Sequence, residues 1–176
     1  MNATFTGKEG AMFGKQGAKV LAPTDGRSGR LGGMGVRFMI DGAESGGGFS
    51  LVEHPIPPRA LAAPLHRHSR EDEYSYVLEG RLGALLGDKV VYGDVGDLIF
   101  KPRRQWHSFW NAGDEPARIL EIISPAGFER YFERLVALFG TDEPPNPAAI
   151  ANVAADYGLE IDLASIPRLM QEHGLR

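Results

Sequence analysis

From Tyr74 onward the chain alternates polar and apolar side chains with a period of two, and Gly, Pro or Asp interrupts it roughly every 6 to 12 residues. Tyr74, Tyr76 and Leu78 share one face of such a strand, and Glu73, Ser75 and Val77 share the other. Residues 81–86 and 90–92 form the arms of a hairpin around Gly87-Asp88-Lys89. Residues 98–101 make a strand stopped by Pro102, residues 106–111 alternate again, and the turn 113–116 leads into residues 118–123. Upstream, residues 19–22, 36–40 and 49–54 read as strands, with loops over 25–33 and 41–48. The loop ending in Gly46-Gly47-Gly48 is followed by an alternating segment rather than a helix, so it reads as a hairpin loop and not a phosphate cradle. Many short strands joined by tight turns point to an all-β sandwich or barrel.

Past residue 124 the period changes to that of a helix. Ser124 and Pro125 form a cap-plus-proline signal, and Phe128, Tyr131, Phe132, Leu135, Val136 and Phe139 form an apolar stripe ended by Gly140. After a linker over 141–145, Asn146-Pro147 repeats the signal, and Ile150, Val153, Ala154 and Tyr157 form a second stripe before Gly158. A third helix is predicted over about 166–173, closed by Gly174. Two short helices around a turn could be a DNA-binding motif. Here Asp156, Glu160, Asp162 and Glu172 outnumber Arg168 and Arg176, and phosphate binding depends on a cationic surface. The helices read instead as a cover over the barrel or its mouth. The expected organisation is a flexible arm over 1–17, a barrel over 18–124 and a helical extension over 125–176 packed on it.

Within the β region one stretch carries chemistry. His66 and His68 flank one residue, so on a strand they point to the same face, roughly 6.6 Å apart. Glu73 is an odd number of residues from both, and a flat strand would send it to the opposite face. The polar run Ser69-Arg70-Glu71-Asp72 supplies the turn or bulge that resets the phase. In the run Glu71-Asp72-Glu73, only Glu73 is expected to turn inward, the others being solvated. Among the aromatics near His107, only Phe109 shares its inward face, which makes Phe109 the candidate substrate contact. His54, at a strand end, reads as structural.

His66-x-His68-x4-Glu73-x6-Gly80 resembles the first metal motif of the cupin family, and Gly96-x5-Pro102-x4-His107-x3-Asn111 resembles the second. The resemblance covers roughly residues 35 to 124. It implies an antiparallel jelly-roll β-barrel that holds one divalent transition metal ion (Fe, Mn, Co, Ni, Cu or Zn) through His66, His68, Glu73 and His107. Two positions depart from the motifs: Ala60 stands where a Gly opens the first, and Arg104 where a Gly follows Pro102. Both replace a residue that tolerates positive φ.

The ligand set is similar to that of single-domain cupin dioxygenases of the quercetinase type. That likeness implies an aromatic or phenolic, flavonol-like substrate, with Glu73 both a ligand and the acceptor of the substrate's hydroxyl proton. A non-redox isomerase, cyclase or hydrolase and a non-catalytic small-molecule-binding cupin are the other readings. At 176 residues the chain fits one domain, and 43% hydrophobic residues are ordinary for a folded protein. A net charge of −4 gives no reason to expect nucleic acid or an anionic membrane as partner. With no cysteine, disulfides and thiolate metal sites are excluded. The first sixteen residues lack the apolar core of a secretory signal, and no apolar run approaches the ~18 residues of a membrane helix, so a cytoplasmic protein is expected. The outward face of Tyr74, Tyr76 and Leu78 needs covering, by the helices or by a second copy, and a homodimer is expected.

Overall fold

The computed structural model describes residues 5–7, 11–12, 18–140 and 145–176. In chain order its elements are β1 (Ala11–Met12), β2 (Lys19–Val20), β3 (Ser28–Leu31), β4 (Met34–Ile40), β5 (Ser50–Ile56), β6 (Leu61–His68), β7 (Asp72–Glu79), β8 (Leu82–Leu86), β9 (Lys89–Gly93), β10 (Leu98–Lys101), β11 (His107–Asn111), β12 (Ala117–Ser124), α1 (Glu129–Phe139), α2 (Pro147–Asp156), β13 (Leu159–Asp162) and α3 (Ser165–His173). The protein is mostly β, and its two main sheets are antiparallel, in the orders β10-β7-β12-β5-β4-β3 and β13-β6-β11-β8-β9. This is the expected jelly-roll with short C-terminal helices. Among the described residues no helix is long and apolar enough to cross a membrane.

Strand β12 shows how the pattern becomes a core: every second residue from Ala117 is buried, and it pairs with β5 on one side and β7 on the other. Val52, Val77, Ile119 and Ile123 then point between the sheets and meet Leu82, Ala84 and Phe109 from the opposite one. Gly80 turns the chain at φ 75°, where a Cβ would come within 2.8 Å of Ala117 Cα, so only glycine fits. Asn111 closes one end: its amide donates to the carbonyls of Ile56, Pro57 and Glu115, and its own carbonyl accepts from Gly113 N.

Several expectations need correcting. The loop over 25–33 contains a strand, β3, which pairs with β4 and receives α1. Its glycine admits the helix: a Cβ on Gly29 would lie 2.5 Å from a Val136 methyl. Ser124 and Pro125 do not start α1. Ser124 still belongs to β12, paired with Asp72, and the Ser124–Pro125 bond is cis. The helix begins at Glu129, a buried carboxylate that accepts from Gly127 N and Gly42 N. Asn146 does cap α2, accepting from Ala148 N ahead of Pro147, and Gly174 closes α3 at φ 62°. Between those helices the extension contributes a strand, β13, paired with β6. Of the arm over 1–17, residues 5–7 and 11–12 are described, and they are paired: Thr6 bridges Ser28, Phe5 packs on Phe38, and β1 pairs with β2. The rest of the arm and most of the 141–145 linker lie outside the described residues.

Candidate metal centre

Alternation along β6 sends His66 and His68 inward, and both are buried. Antiparallel pairing of β11 with β6 sets His107 opposite His66, so their rings lie 4.2 Å apart. The turn at 69–71 carries the chain from one sheet to the other, and β7 re-enters with Glu73 facing the same interior. One donor atom from each of His66, His68, Glu73 and His107 lies within 4.8 Å of the others.

The hydrogen bonds around the rings fix which nitrogens can act. His66 Nδ1 donates to Pro64 O at 2.7 Å and His107 Nδ1 donates to Gln105 O at 3.0 Å. A carbonyl can only accept, so both protons sit on Nδ1 and both Nε2 atoms present lone pairs inward. His107 Nε2 is 3.2 Å from Glu73 Oε2, and His68 Nε2 is 3.3 Å from Glu73 Oε1. An imidazole lone pair facing a carboxylate oxygen at that range requires a cation or proton between them. His68 adds a second sign, since neither of its buried nitrogens makes a well-formed hydrogen bond within the protein. The donors therefore fit one divalent ion, with three neutral imidazoles and one carboxylate. His68 Nδ1 faces Glu71 Oε2 at 3.4 Å, the carboxylate–histidine relation that orients metal ligands. Glu71 is thus buried, not solvated as the sequence reading has it.

Behind Glu73 lies a charge array that the sequence reading did not single out. Lys101, fully buried on β10, pairs directly across from Glu73 and places Nζ 2.9 Å from its Oε2 and 3.1 Å from Glu121 Oε1. Ser75 Oγ donates to Glu121 Oε2 at 2.8 Å, and the Lys101 ammonium sits 4.2 Å over the Phe109 ring. Burial alone would raise the Glu73 carboxyl, but the Lys101 ammonium and His68 overturn that and hold it well below the carboxylate range. Burial pushes Glu121 up to about 7, assisted by the Glu73 charge. Burial also lowers His66 and His107, whereas the Glu73 and Glu71 carboxylates carry His68 against its burial to about 9. A lone Glu121 within the apolar run 119–123 was a legible sign of an inward charge; Lys101 follows Leu98-Ile99-Phe100, apolar on both faces, and gave none.

A cavity of about 320 Å³ is lined by His66 and Glu73 of the cluster together with Phe109, Phe128, His54, Tyr131 and Phe132. Apart from Glu121 and Arg176 its remaining walls are mainly aliphatic and aromatic, the composition of a site for a small organic molecule. Phe109 is on this wall. His54, read as structural, is on it too. The remaining aromatics near His107 face elsewhere: Trp110 stacks on His173 of α3 at 4.0 Å, Trp106 lies under Arg67, and Phe100 is exposed. At Arg104 the turn keeps the left-handed conformation of the missing glycine, φ 67°, and its N–H donates to His68 O at 2.7 Å. Ala60 has no positive φ; the neighbouring Arg59 takes it, at 56°.

Residues 53–123 match the family model described as Cupin domain. A protein of Streptomyces glaucescens, the tetracenomycin polyketide synthase protein TcmJ, is 27% identical over 141 residues, 80% of this chain and 91% of its own length. Among solved structures, a putative ethanolamine utilization protein Q from Salmonella typhimurium superposes with a TM-score of 0.55 at 23% identity, over 72% of this chain and 98% of that one. An oxalate decarboxylase from Lactobacillus farciminis gives 0.51 at 21% identity, over 57% of this chain and 31% of that one. At these identities the two structures speak for the fold. The matched segment contains His54, all four metal-ligand candidates, Lys101 and Glu121, so the likeness to a cupin domain spans the whole cluster that could hold a metal ion.

Proposed function

We propose that the protein is a metal-dependent enzyme acting on a phenolic or enolisable aromatic small molecule, and that its reaction is a dioxygenation. The observation that carries the first half is the convergence of imidazole lone pairs and the Glu73 carboxylate beside a mostly apolar cavity that His66 and Glu73 help to line. His66, His68, Glu73 and His107 hold one divalent transition ion in this reading. When bound, that ion supplies Lewis-acid polarisation of a substrate hydroxyl and, where redox-active, a site for oxygen chemistry. Glu73 accepts the hydroxyl proton in this reading: Lys101 keeps it a carboxylate, at the cost of some basicity, and Oε2 lies between Lys101 Nζ and His107 Nε2. Phe109 forms the wall against which the substrate ring packs, and the apolar lining excludes water from the anion so formed. The likeness to a polyketide synthase protein supports a polyphenolic substrate class.

A second reading, ring closure or isomerisation without oxygen, is favoured by the same Glu73–Lys101–Glu121 array, which moves a proton without an oxidant. Elemental analysis of protein purified from its own host, followed by oxygen uptake with flavonols and polyhydroxylated fused-ring phenols, decides between them. Stoichiometric oxygen consumption is the expected result. Substrate loss in the absence of oxygen would install the second reading, and tight binding without turnover would make the protein a carrier.

We further propose a homodimer. The helices pack mainly against β3, β5, β6 and β13, which leaves the outer face of β7 and its edge neighbour β10 exposed. Leu98 is 53% exposed, Phe100 46% and Tyr76 39% on that face, where Tyr74 stacks on Phe100. An apolar patch on an edge strand is suited to a second copy across a two-fold axis.

A further inference from the structure

His54 occupies a position that the proposed chemistry leaves unused. It points inward from β5, is 1% exposed, and lines the cavity that also contains His66 and Glu73. Nδ1 donates to Gly35 O at 2.8 Å, which places the ring proton there and leaves a lone pair on Nε2. Among the described residues Nε2 makes no hydrogen bond within the protein. Burial lowers the imidazole to about 4, so the ring is neutral at physiological pH. Nε2 therefore presents a free acceptor to the cavity, where a ligand's donor can engage it.

A chain of aromatic rings links His54 to the ligand cluster. Phe128 lies 4.3 Å from the His68 ring and 5.3 Å from Phe132, and Phe132 lies 5.1 Å from His54. We infer that His54 Nε2 accepts a hydrogen bond from a second hydroxyl of the ligand, carried on a ring remote from the hydroxyl that Glu73 addresses. This rests on reading the cavity as a site for aromatic substrates and narrows that class. The substrate is a flat molecule of two or more rings hydroxylated at both ends, gripped along its faces by Phe128 and Phe132. A carboxylate at the far end is disfavoured, because a neutral acceptor offers it no proton.

Calorimetric binding to the metal-loaded protein tests this with two probe series. One is 3-hydroxyflavone against flavonols bearing a further hydroxyl on the A or B ring; the other is 1-naphthol against naphthalenediols with the second hydroxyl on the distal ring. In the wild type at least one further-hydroxylated probe should bind about tenfold more tightly than its parent. His54→Asn keeps a donor for Gly35 O but has nothing at the Nε2 position, and His54→Phe fills the volume with neither nitrogen. In whichever of these melts cooperatively, the tenfold increment should vanish while parent affinity stays within about twofold. An increment that survives in the variant, or no increment in either series, overturns the assignment. Parent binding and its loss on stripping the metal report on the metal end alone, so failure of that reading is seen separately.

Discussion

Glu73 sits between two demands, since the same carboxylate that would hold a cation also faces a buried lysine. Three imidazoles already supply much of the affinity for a transition ion. Glu73→Gln should therefore keep most of the metal and lose turnover by about 10²–10⁴ on any phenolic substrate found, the usual reach of a general base. Metal content and rate measured on one preparation check this; a parallel fall of both would reduce Glu73 to a ligand only. His66→Ala or His107→Ala should strip the metal while the barrel still folds, because apolar packing rather than the ion builds the scaffold. Elemental analysis beside a circular dichroism spectrum is the check. At Arg104, φ 67° costs an L-residue roughly 1–2 kcal/mol, and glycine gives back about 0.5–1 in unfolded-state entropy. Arg104→Gly should thus stabilise by up to about 1 kcal/mol in urea titration, and a loss would mean that the arginine side chain holds the turn. At this scale strand parity made the pair His66 and His68 legible, whereas Glu73 and His107 joined them only through the resemblance to the cupin motifs. Lys101, Glu71 and His54 were not legible, because what makes each of them notable is a partner on another strand.

Strand β11 shows how an element is fixed from both sides. All five of its residues are buried, His107, Phe109 and Asn111 toward the interior, and Trp110 outward beneath α3. Gly83 on the neighbouring strand makes room for the indole: a Cβ there would lie 2.3 Å from Trp110 Nε1. Gly83→Ala should destabilise by about 1–3 kcal/mol, as overpacking does, and should loosen α3 first. Chemical denaturation gives the magnitude, and amide exchange in residues 165–173 locates it. The helices themselves were legible from their stripes, whereas β13 was not. Its four residues alternate too briefly to outweigh the helices on either side, and only the unpaired edge of β6 makes them a strand. The misplaced start of α1 has the same origin, since pairing of Ser124 with Asp72 overrides a local capping signal.

For the whole molecule, the uncovered β7–β10 face yields a direct expectation. The wild type should sediment as a dimer at micromolar concentration, and Phe100→Asp, placing a charge in the middle of the patch, should give the 19.1 kDa monomer with its metal site intact. A wild type that is monomeric at every concentration would retire the proposal. The cavity's construction carries a different consequence. The metal-ligand candidates all fall within residues 53–123, yet Tyr131, Leu135, Leu159, Ile161, Ile166 and Met170 of the C-terminal extension form much of the wall. The ligand candidates and much of the cavity wall thus fall in different stretches of the chain, joined where β13 pairs with β6. Substitutions at wall positions such as Leu135 or Met170 should reshape the cavity while sparing the ligand cluster, whereas changes in β13, which pairs with the strand of His66 and His68, should disturb both. A chimaera with a relative's tail grafted after Ser124 would inherit that relative's preferences and keep its own metal.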